Sequence, residues 1–204
     1  MVIGFGDKMI NETNIRSLKE YALENNVPIM TDSGIQFMMN YVRKNHVTKI
    51  LEIGTAIGYS AIMMCSVSPD ILVTTIEKDE KRYLEALKNI KKFGLENRIQ
   101  LIYNDALEVS LDDFYDLIFI DAAKAQNQKF FERFERNLKD EGTIITDNMK
   151  FHGLVDKNLD EIENRNLRQL VQKIKNYTVF LQGNISYQTD FLDVGDGLAV
   201  SKKI

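Results

Sequence analysis

One stretch, Ile50-Leu51-Glu52-Ile53-Gly54-Thr55-Ala56-Ile57-Gly58-Tyr59-Ser60, constrains the fold more than any other part of the chain. Its apolar start reads as a buried strand that breaks at Gly54. Residues 59–67 then follow a helical pattern, with Ile62, Met63 and Val67 on one face. A strand that turns through glycines into a helix N-terminus gathers backbone N–H groups where a polar or anionic ligand can sit. The spacing is Glu-x-Gly-x-x-x-Gly, distinct from the Gly-x-Gly-x-x-Gly of dinucleotide folds. Gly54 leaves the backbone open to a ligand, and Gly58 lets the helix start close to the strand. A second apolar run, residues 71–76, ends in Glu77, which follows the turn by about 20 residues. An acid there is placed to accept both hydroxyls of a ribose, so turn and acid together point to a nucleoside ligand without saying which.

The rest of the chain extends the same alternation. Residues 11–26 predict a helix with Ile15, Leu18 and Ala22 on one face, ended by Pro28. Thr31 or Asp32 can cap a second helix that carries Ile35, Met38, Met39 and Val42. After Glu77, Asp79 can cap a helix through Phe93, with Tyr83, Leu84, Leu87 and Ile90 on its buried side and Gly94 as its stop. Strands follow at 99–103, 115–120 and 143–146, ending respectively in Asn104-Asp105-Ala106, Asp121 and Asp147-Asn148. Helices are expected at 125–138 and 162–181. Residues 186–194 and 198–202 read as two strands joined at Gly195-Asp196-Gly197. The pattern predicts a doubly wound α/β fold, a mostly parallel sheet with an antiparallel end, in one domain of 204 residues with an N-terminal helical flank over 1–46. Ligands of such sheets bind beyond the carboxyl ends of the strands, so these polar strand ends are expected to face one crevice.

Residue counts narrow the chemistry. A single Cys65 rules out an internal disulfide and a cysteine metal cluster, and its helical setting makes it a core residue. With only His46 and His152, a multi-histidine metal site is excluded as well, so a metal would need oxygen ligands. No apolar run approaches the roughly 20 residues of a membrane span, and no basic flank precedes an apolar block at the N-terminus; a cytoplasmic protein is expected. The net charge of −4 argues against a general nucleic-acid binder while allowing a local basic face. Asp121, Asp147 and Asn148 each suit a turn or a helix cap taken singly, but together they form a hard oxygen set suited to Mg²⁺. Lys124, one helical turn beyond Asp121, can serve as a general base there.

These segments resemble the cation-dependent class I O-methyltransferases that use S-adenosylmethionine, the family of the catechol and caffeoyl-CoA enzymes. The likeness rests on residues 51–60, Glu77, Phe119-Ile120-Asp121-Ala122-Ala123-Lys124, Ile145-Thr146-Asp147-Asn148 and Val194-Gly195-Asp196-Gly197-Leu198-Ala199, and it spans nearly the whole chain. It implies a Rossmann-like fold with a seven-stranded sheet whose last strand is antiparallel. It assigns Met30, Glu52, Gly54, Tyr59, Ser60, Glu77, Asp105, Ala106 and Asp121 to S-adenosylmethionine, Asp121, Asp147 and Asn148 to Mg²⁺ or another hard divalent cation, and the catalytic base to Lys124. Asp193 stands where catechol enzymes carry a Glu that holds a second hydroxyl.

Substrate readings diverge. Val27-Pro28-Ile29-Met30, Thr55-Ala56-Ile57-Gly58-Tyr59-Ser60-Ala61-Ile62, Asp121-Ala122-Ala123-Lys124-Ala125-Gln126 and Phe151-His152-Gly153-Leu154-Val155 look most like the bacterial tRNA 5-hydroxyuridine methyltransferases, which implies a tRNA anticodon loop as partner. Lys150, His152, Lys157, Arg165, Arg168, Lys173 and Lys175 could then touch phosphates, although Asp156, Asp160, Glu161 and Glu163 are interleaved with them. A small-molecule methyltransferase for catechol-like or hydroxycinnamoyl hydroxyls is the alternative, and a non-catalytic nucleoside-binding module is a third. A homodimer through the N-terminal helices is expected.

Overall fold

The computed structural model describes residues 11–204; the beginning of the expected N-terminal flank lies outside the described residues. Contacts divide the chain into two compact units, Met1–Val109 and Ser110–Ile204.

In the first unit, helices α1 (Glu12–Glu24) and α2 (Asp32–Lys44) precede strand β1 (Lys49–Ile53). Both begin on the caps their sequences offer. Asn11 accepts the Asn14 N–H at 2.9 Å, and Thr31 accepts that of Gly34 at 3.2 Å. Such a cap stabilises a helix by about 1 kcal/mol. α2 buries Ile35, Met38, Met39 and Val42, as its spacing requires. Helix α3 (Tyr59–Cys65), strand β2 (Leu72–Glu77), helix α4 (Glu80–Lys92) and strand β3 (Ile99–Tyr103) complete the unit. β2 pairs in parallel with both β1 and β3.

All of α3 is buried, and it ends at Cys65, so Val67 lies beyond the helix whose face it was expected to share. Cys65 is buried with it, its thiol donating to the Ile71 carbonyl at 3.5 Å. Arg98 donates to the Cys65 and Ser68 carbonyls at 2.9 and 2.8 Å, satisfying groups that the end of a helix leaves open. In α4, Leu84 and Leu87 are 54% and 45% exposed. The buried stripe is instead Ala86, Asn89 and Ile90. Asn89 Nδ2 donates to the Ile57 carbonyl at 3.0 Å. That bond turns the small and polar side of α4 inward and the leucines out, a choice that hydrophobic spacing cannot report.

The second unit contains strand β4 (Tyr115–Ile120), helix α5 (Asn127–Phe134), strand β5 (Leu138–Thr146), helix α6 (Arg165–Gly183), and strands β6 (Tyr187–Leu192) and β7 (Leu198–Lys203). The helix expected over 125–138 is shorter than predicted, with 3-10 turns at Lys124–Gln126 and Glu135–Asn137 on either side of α5. β5 starts at Leu138, well before Thr143, because Leu138 already pairs with Tyr115. The register then jumps, Leu117 pairing with Thr143. Gly142 lies in the excursion between, where a Cβ would come within 2.8 Å of the Leu138 side chain. α6 begins at Arg165 rather than at residue 162, because Asn164 accepts the Leu167 N–H at 3.0 Å and caps it there. Phe131 anchors the unit, its ring 5.0 Å from Tyr187 and 5.5 Å from Phe180.

The seven strands belong to one mixed sheet in the order β3-β2-β1-β4-β5-β7-β6, with β7 antiparallel to both of its neighbours. This is the α/β sheet with an antiparallel last strand that the sequence pattern and the resemblance predicted.

Candidate active site

The first unit builds the glycine turn. Gly54 and Gly58 have φ of 100° and 86°, a region that an L side chain enters only with strain. At Gly58 conformation is the reason for glycine and not close approach, since a Cβ there would meet Ala86 at an ordinary 3.7 Å. Gly54 and Thr55 both donate to the Ile76 carbonyl, at 3.0 and 3.3 Å, which draws the turn against the end of β2.

Glu77 holds the same turn from its side chain. It is buried, and its Oε2 accepts the Ala56 N–H at 2.8 Å while Oε1 accepts those of Lys78 and Asp79 at 2.9 Å each. Glu52 lies behind the turn, fully buried. Its two carboxylate oxygens accept the hydroxyls of Ser60 and Thr75, each at 2.5 Å. Thr55 and Thr75 hydroxyls lie 2.6 Å apart. The sequence reading does not single out Thr55 and Thr75; the available clue was the Thr74-Thr75 pair in a buried apolar strand, whose hydroxyls must find partners.

The other residues expected at the cofactor, apart from Asp121, are also in this unit. Tyr59 is buried, burial pushes its phenol up, and Lys19 Nζ lies 5.8 Å from its ring centre. Met30 helps to line a cavity of about 370 Å³ with Ala22, Leu23, Val27 and Ile29, beside the Lys19–Asp32 ion pair. Asp105 accepts the Leu107 N–H at 2.9 Å and pairs with Lys78 at 3.3 Å; the Leu107 bond, with Lys78 behind it, holds its carboxyl below the usual value. Ala106 is buried.

The second unit brings the carboxylate set together. Asp121 follows β4, and Lys124 Nζ reaches its Oδ1 at 2.6 Å. Asp147 follows β5, which Thr146 steadies through a 2.9 Å hydroxyl contact with buried Tyr177. Asp147 is 4% exposed, and its carboxyl is pushed up to about 7, first by burial and then by the charge of Asp121, with Asp196 adding to it. Two carboxylates so placed lack a full counter-charge, since one lysine supplies a single positive charge. A hard divalent cation fits this donor set, with the Asn148 amide oxygen as its third ligand. Among the described residues no cluster of three or more His, Cys, Asp or Glu is arranged for a metal.

Asp196, in the hairpin turn, also touches this set. Its Oδ2 lies 3.3 Å from Asn148 Nδ2 and its Oδ1 accepts the His152 N–H at 2.6 Å. The acid between two glycines was the available sign. Several of the basic residues are engaged internally. Lys150 pairs with Asp193 at 2.6 Å, Arg168 donates to the Ile162 carbonyl at 2.9 Å, and Lys175 to that of Lys157 at 2.7 Å. Lys157, Arg165 and Lys173 are exposed. No described helix is long and apolar enough to cross a membrane.

Comparison with known proteins agrees with this architecture. A caffeoyl-CoA O-methyltransferase of Populus kitakamiensis is 26% identical over 97% of this chain and 87% of its own length. A Staphylococcus aureus crystal structure, described as a candidate caffeoyl-CoA O-methyltransferase, is 44% identical, with a TM-score of 0.89 over 93% of this chain and 92% of its own. The O-methyltransferase of Bacillus cereus, solved in complex with SAH, is 25% identical, with a TM-score of 0.82 over 97% of this chain and 94% of its own. The sequence profile described as O-methyltransferase matches residues 7–204, and the chain belongs to that family.

Proposed function

We propose that this O-methyltransferase uses S-adenosylmethionine as methyl donor and a hard divalent cation, Mg²⁺ in the first instance, acting as one methyltransferase domain over residues 1–204. The observation that carries the metal reading is the under-compensated pair of buried Asp147 and half-buried Asp121 beside Asn148 and Lys124. Glu77, Glu52 and the glycine turn support the donor reading, as does the SAH complex of the Bacillus cereus relative.

Asp121, Asp147 and Asn148 would hold the cation, which supplies Lewis acidity that lowers the pKa of a substrate hydroxyl. Lys124, as the neutral amine, takes the hydroxyl proton and becomes the ammonium, and its contact with Asp121 fixes where its Nζ sits. The Glu52 and Glu77 contacts keep the turn in one conformation, so the donor meets a prearranged backbone and not a loop that must first order. Gly54, Tyr59, Ser60, Asp105, Ala106 and Met30 complete the donor site in this reading.

For the substrate we propose 5-hydroxyuridine in a tRNA anticodon loop, converted to 5-methoxyuridine. Its support is the likeness around residues 121–126 and the exposed cations Lys157, Arg165 and Lys173 in and after the metal loop. A single-stranded loop base can be splayed into a site in this way. The second reading, a small-molecule hydroxyl, is favoured by the caffeoyl-CoA relative. A homodimer through the N-terminal helices would cover Leu23, which is 81% exposed on α1; sedimentation at a monomer mass at high protein concentration would remove it.

Mass spectrometry of tRNA nucleosides from cells lacking the gene tests the substrate. Loss of 5-methoxyuridine with build-up of 5-hydroxyuridine is expected. An unchanged nucleoside profile, with good turnover of a catechol or hydroxycinnamoyl ester, assigns the small-molecule reading instead. Charge reversal at Lys157 and Arg165 should raise the KM for tRNA and weaken its salt dependence, whereas Arg168 is committed to its own fold.

A further inference from the structure

We propose that Asp196 is a positioning residue that sets the orientation of the Asn148 amide, turning its oxygen toward the cation; this rests on the metal reading above. Asn148 Nδ2 lies 3.3 Å from Asp196 Oδ2. The nitrogen and oxygen ends of an amide look alike in outline, so its orientation is decided by partners. An ionised carboxylate only accepts, so the –NH₂ group must face Asp196 and the amide oxygen must face away from it.

The rest of the hairpin turn holds the loop in which this amide sits. Asp196 Oδ1 accepts the His152 N–H at 2.6 Å, and the Asp196 and Gly197 carbonyls accept those of Lys150 and Met149 at 2.8 and 2.9 Å. The turn is pressed against the loop: a Cβ on Gly197 would come within 2.8 Å of the Lys150 side chain and 2.9 Å of its backbone nitrogen. The loop needs the grip. Asn148, Phe151 and His152 have φ of 61°, 45° and 56°, left-handed values that non-glycine residues resist. Asp196 thus does two separable jobs: one oxygen fixes backbone and the other fixes the polarity of a metal ligand. Outer partners of this kind change metal affinity by about 10–100-fold when lost.

The test exploits that separation, using the full chain and Mn²⁺ alone, with binding read from the free-ion resonance signal. Asp196→Asn keeps an oxygen for the His152 N–H but presents an –NH₂ group to Asn148, which must then flip and turn its own –NH₂ toward the ion. The expected result is about 10–100-fold weaker Mn²⁺ binding with an unchanged urea midpoint. The double variant Asn148→Asp with Asp196→Asn reverses the polarity of both partners. There the introduced amide donates to the introduced carboxylate, whose second oxygen faces the ion, and affinity should return to within about threefold of the parent. Asp196→Asn binding Mn²⁺ as the parent does overturns the proposal. So does a double variant as weak as the single one, which would leave Asp196 a merely structural role. A parent that binds no Mn²⁺, or binds it equally after Asp147→Ala, overturns the metal reading itself, and the proposal with it.

Discussion

Replacing Glu77 separates the two jobs that its carboxylate is in a position to do. It accepts three backbone N–H groups, those of Ala56, Lys78 and Asp79, out of roughly four acceptor sites that a carboxylate offers. Lys78 and Asp79 are exposed, so water can take over their bonds in Glu77→Ala, whereas Ala56 is half-buried and the Glu77 side chain reaches it from a buried position. The stability cost should therefore be that of one charge-assisted bond, about 1.5–3 kcal/mol. For a chain of this size that lowers Tm by about 3–12 °C. The remaining acceptor capacity supports one strong ribose hydroxyl bond, so loss of donor affinity should also be about 1.5–3 kcal/mol, or roughly 10–150-fold in Kd. Titration calorimetry with S-adenosylmethionine and a urea unfolding curve measure the two effects side by side. Glu77→Gln sharpens the comparison: its oxygen can still serve Lys78 and Asp79, but its –NH₂ group confronts the Ala56 N–H. Both variants should lose donor affinity. A Kd within twofold of the parent in both, with an unchanged urea midpoint, would remove Glu77 from the turn and from the donor site alike.

Other outcomes follow from the same contacts. Thr75→Val removes a hydroxyl from the buried Glu52 carboxylate without opening a cavity and should cost about 1.5–3 kcal/mol of stability, while Thr75→Ser should recover most of it; equal urea midpoints for the two variants would contradict the role of the hydroxyl. Asp147 stands at about 7 in the fold against 3.8 ordinarily, so its contribution to stability is complete below the lower value, shrinks as pH rises and is gone above the higher one. Chelated protein should thus lose Tm as pH rises from 3.8 to about 7 and level off above that, added Mg²⁺ should flatten the decline, and a rising Tm would refute the argument. Lys124→Ala should lower kcat by about 10²–10⁴-fold with donor affinity unchanged and partial recovery at higher pH, which a binding defect would not show. Asp147→Ala should abolish methyl transfer and chelation should mimic it; full turnover by metal-free protein would end the metal reading.

The alternation of strand and helix, the turn at Gly54 and Gly58, the acid Glu77 and the strand-end set of Asp121, Asp147 and Asn148 were all legible in the sequence, because each depends on local spacing: burial of alternate residues, a left-handed turn, a polar residue where an apolar run stops. The caps Thr31 and Asp79 belong with them, since a cap reads its own next three residues. Tertiary structure decided the rest. It turned Leu84 and Leu87 outward because Asn89 found the Ile57 carbonyl, a partner 32 residues away. It started β5 early because Leu138 met Tyr115, and it joined Thr75 to Glu52 across neighbouring strands. Above all it carried Asp196 to Asn148 over 48 residues of chain and pushed the Asp147 carboxyl upward by burying it near Asp121. Spacing can say which residues end a strand, but hydrogen-bond partners and desolvation depend on what the folded chain brings alongside.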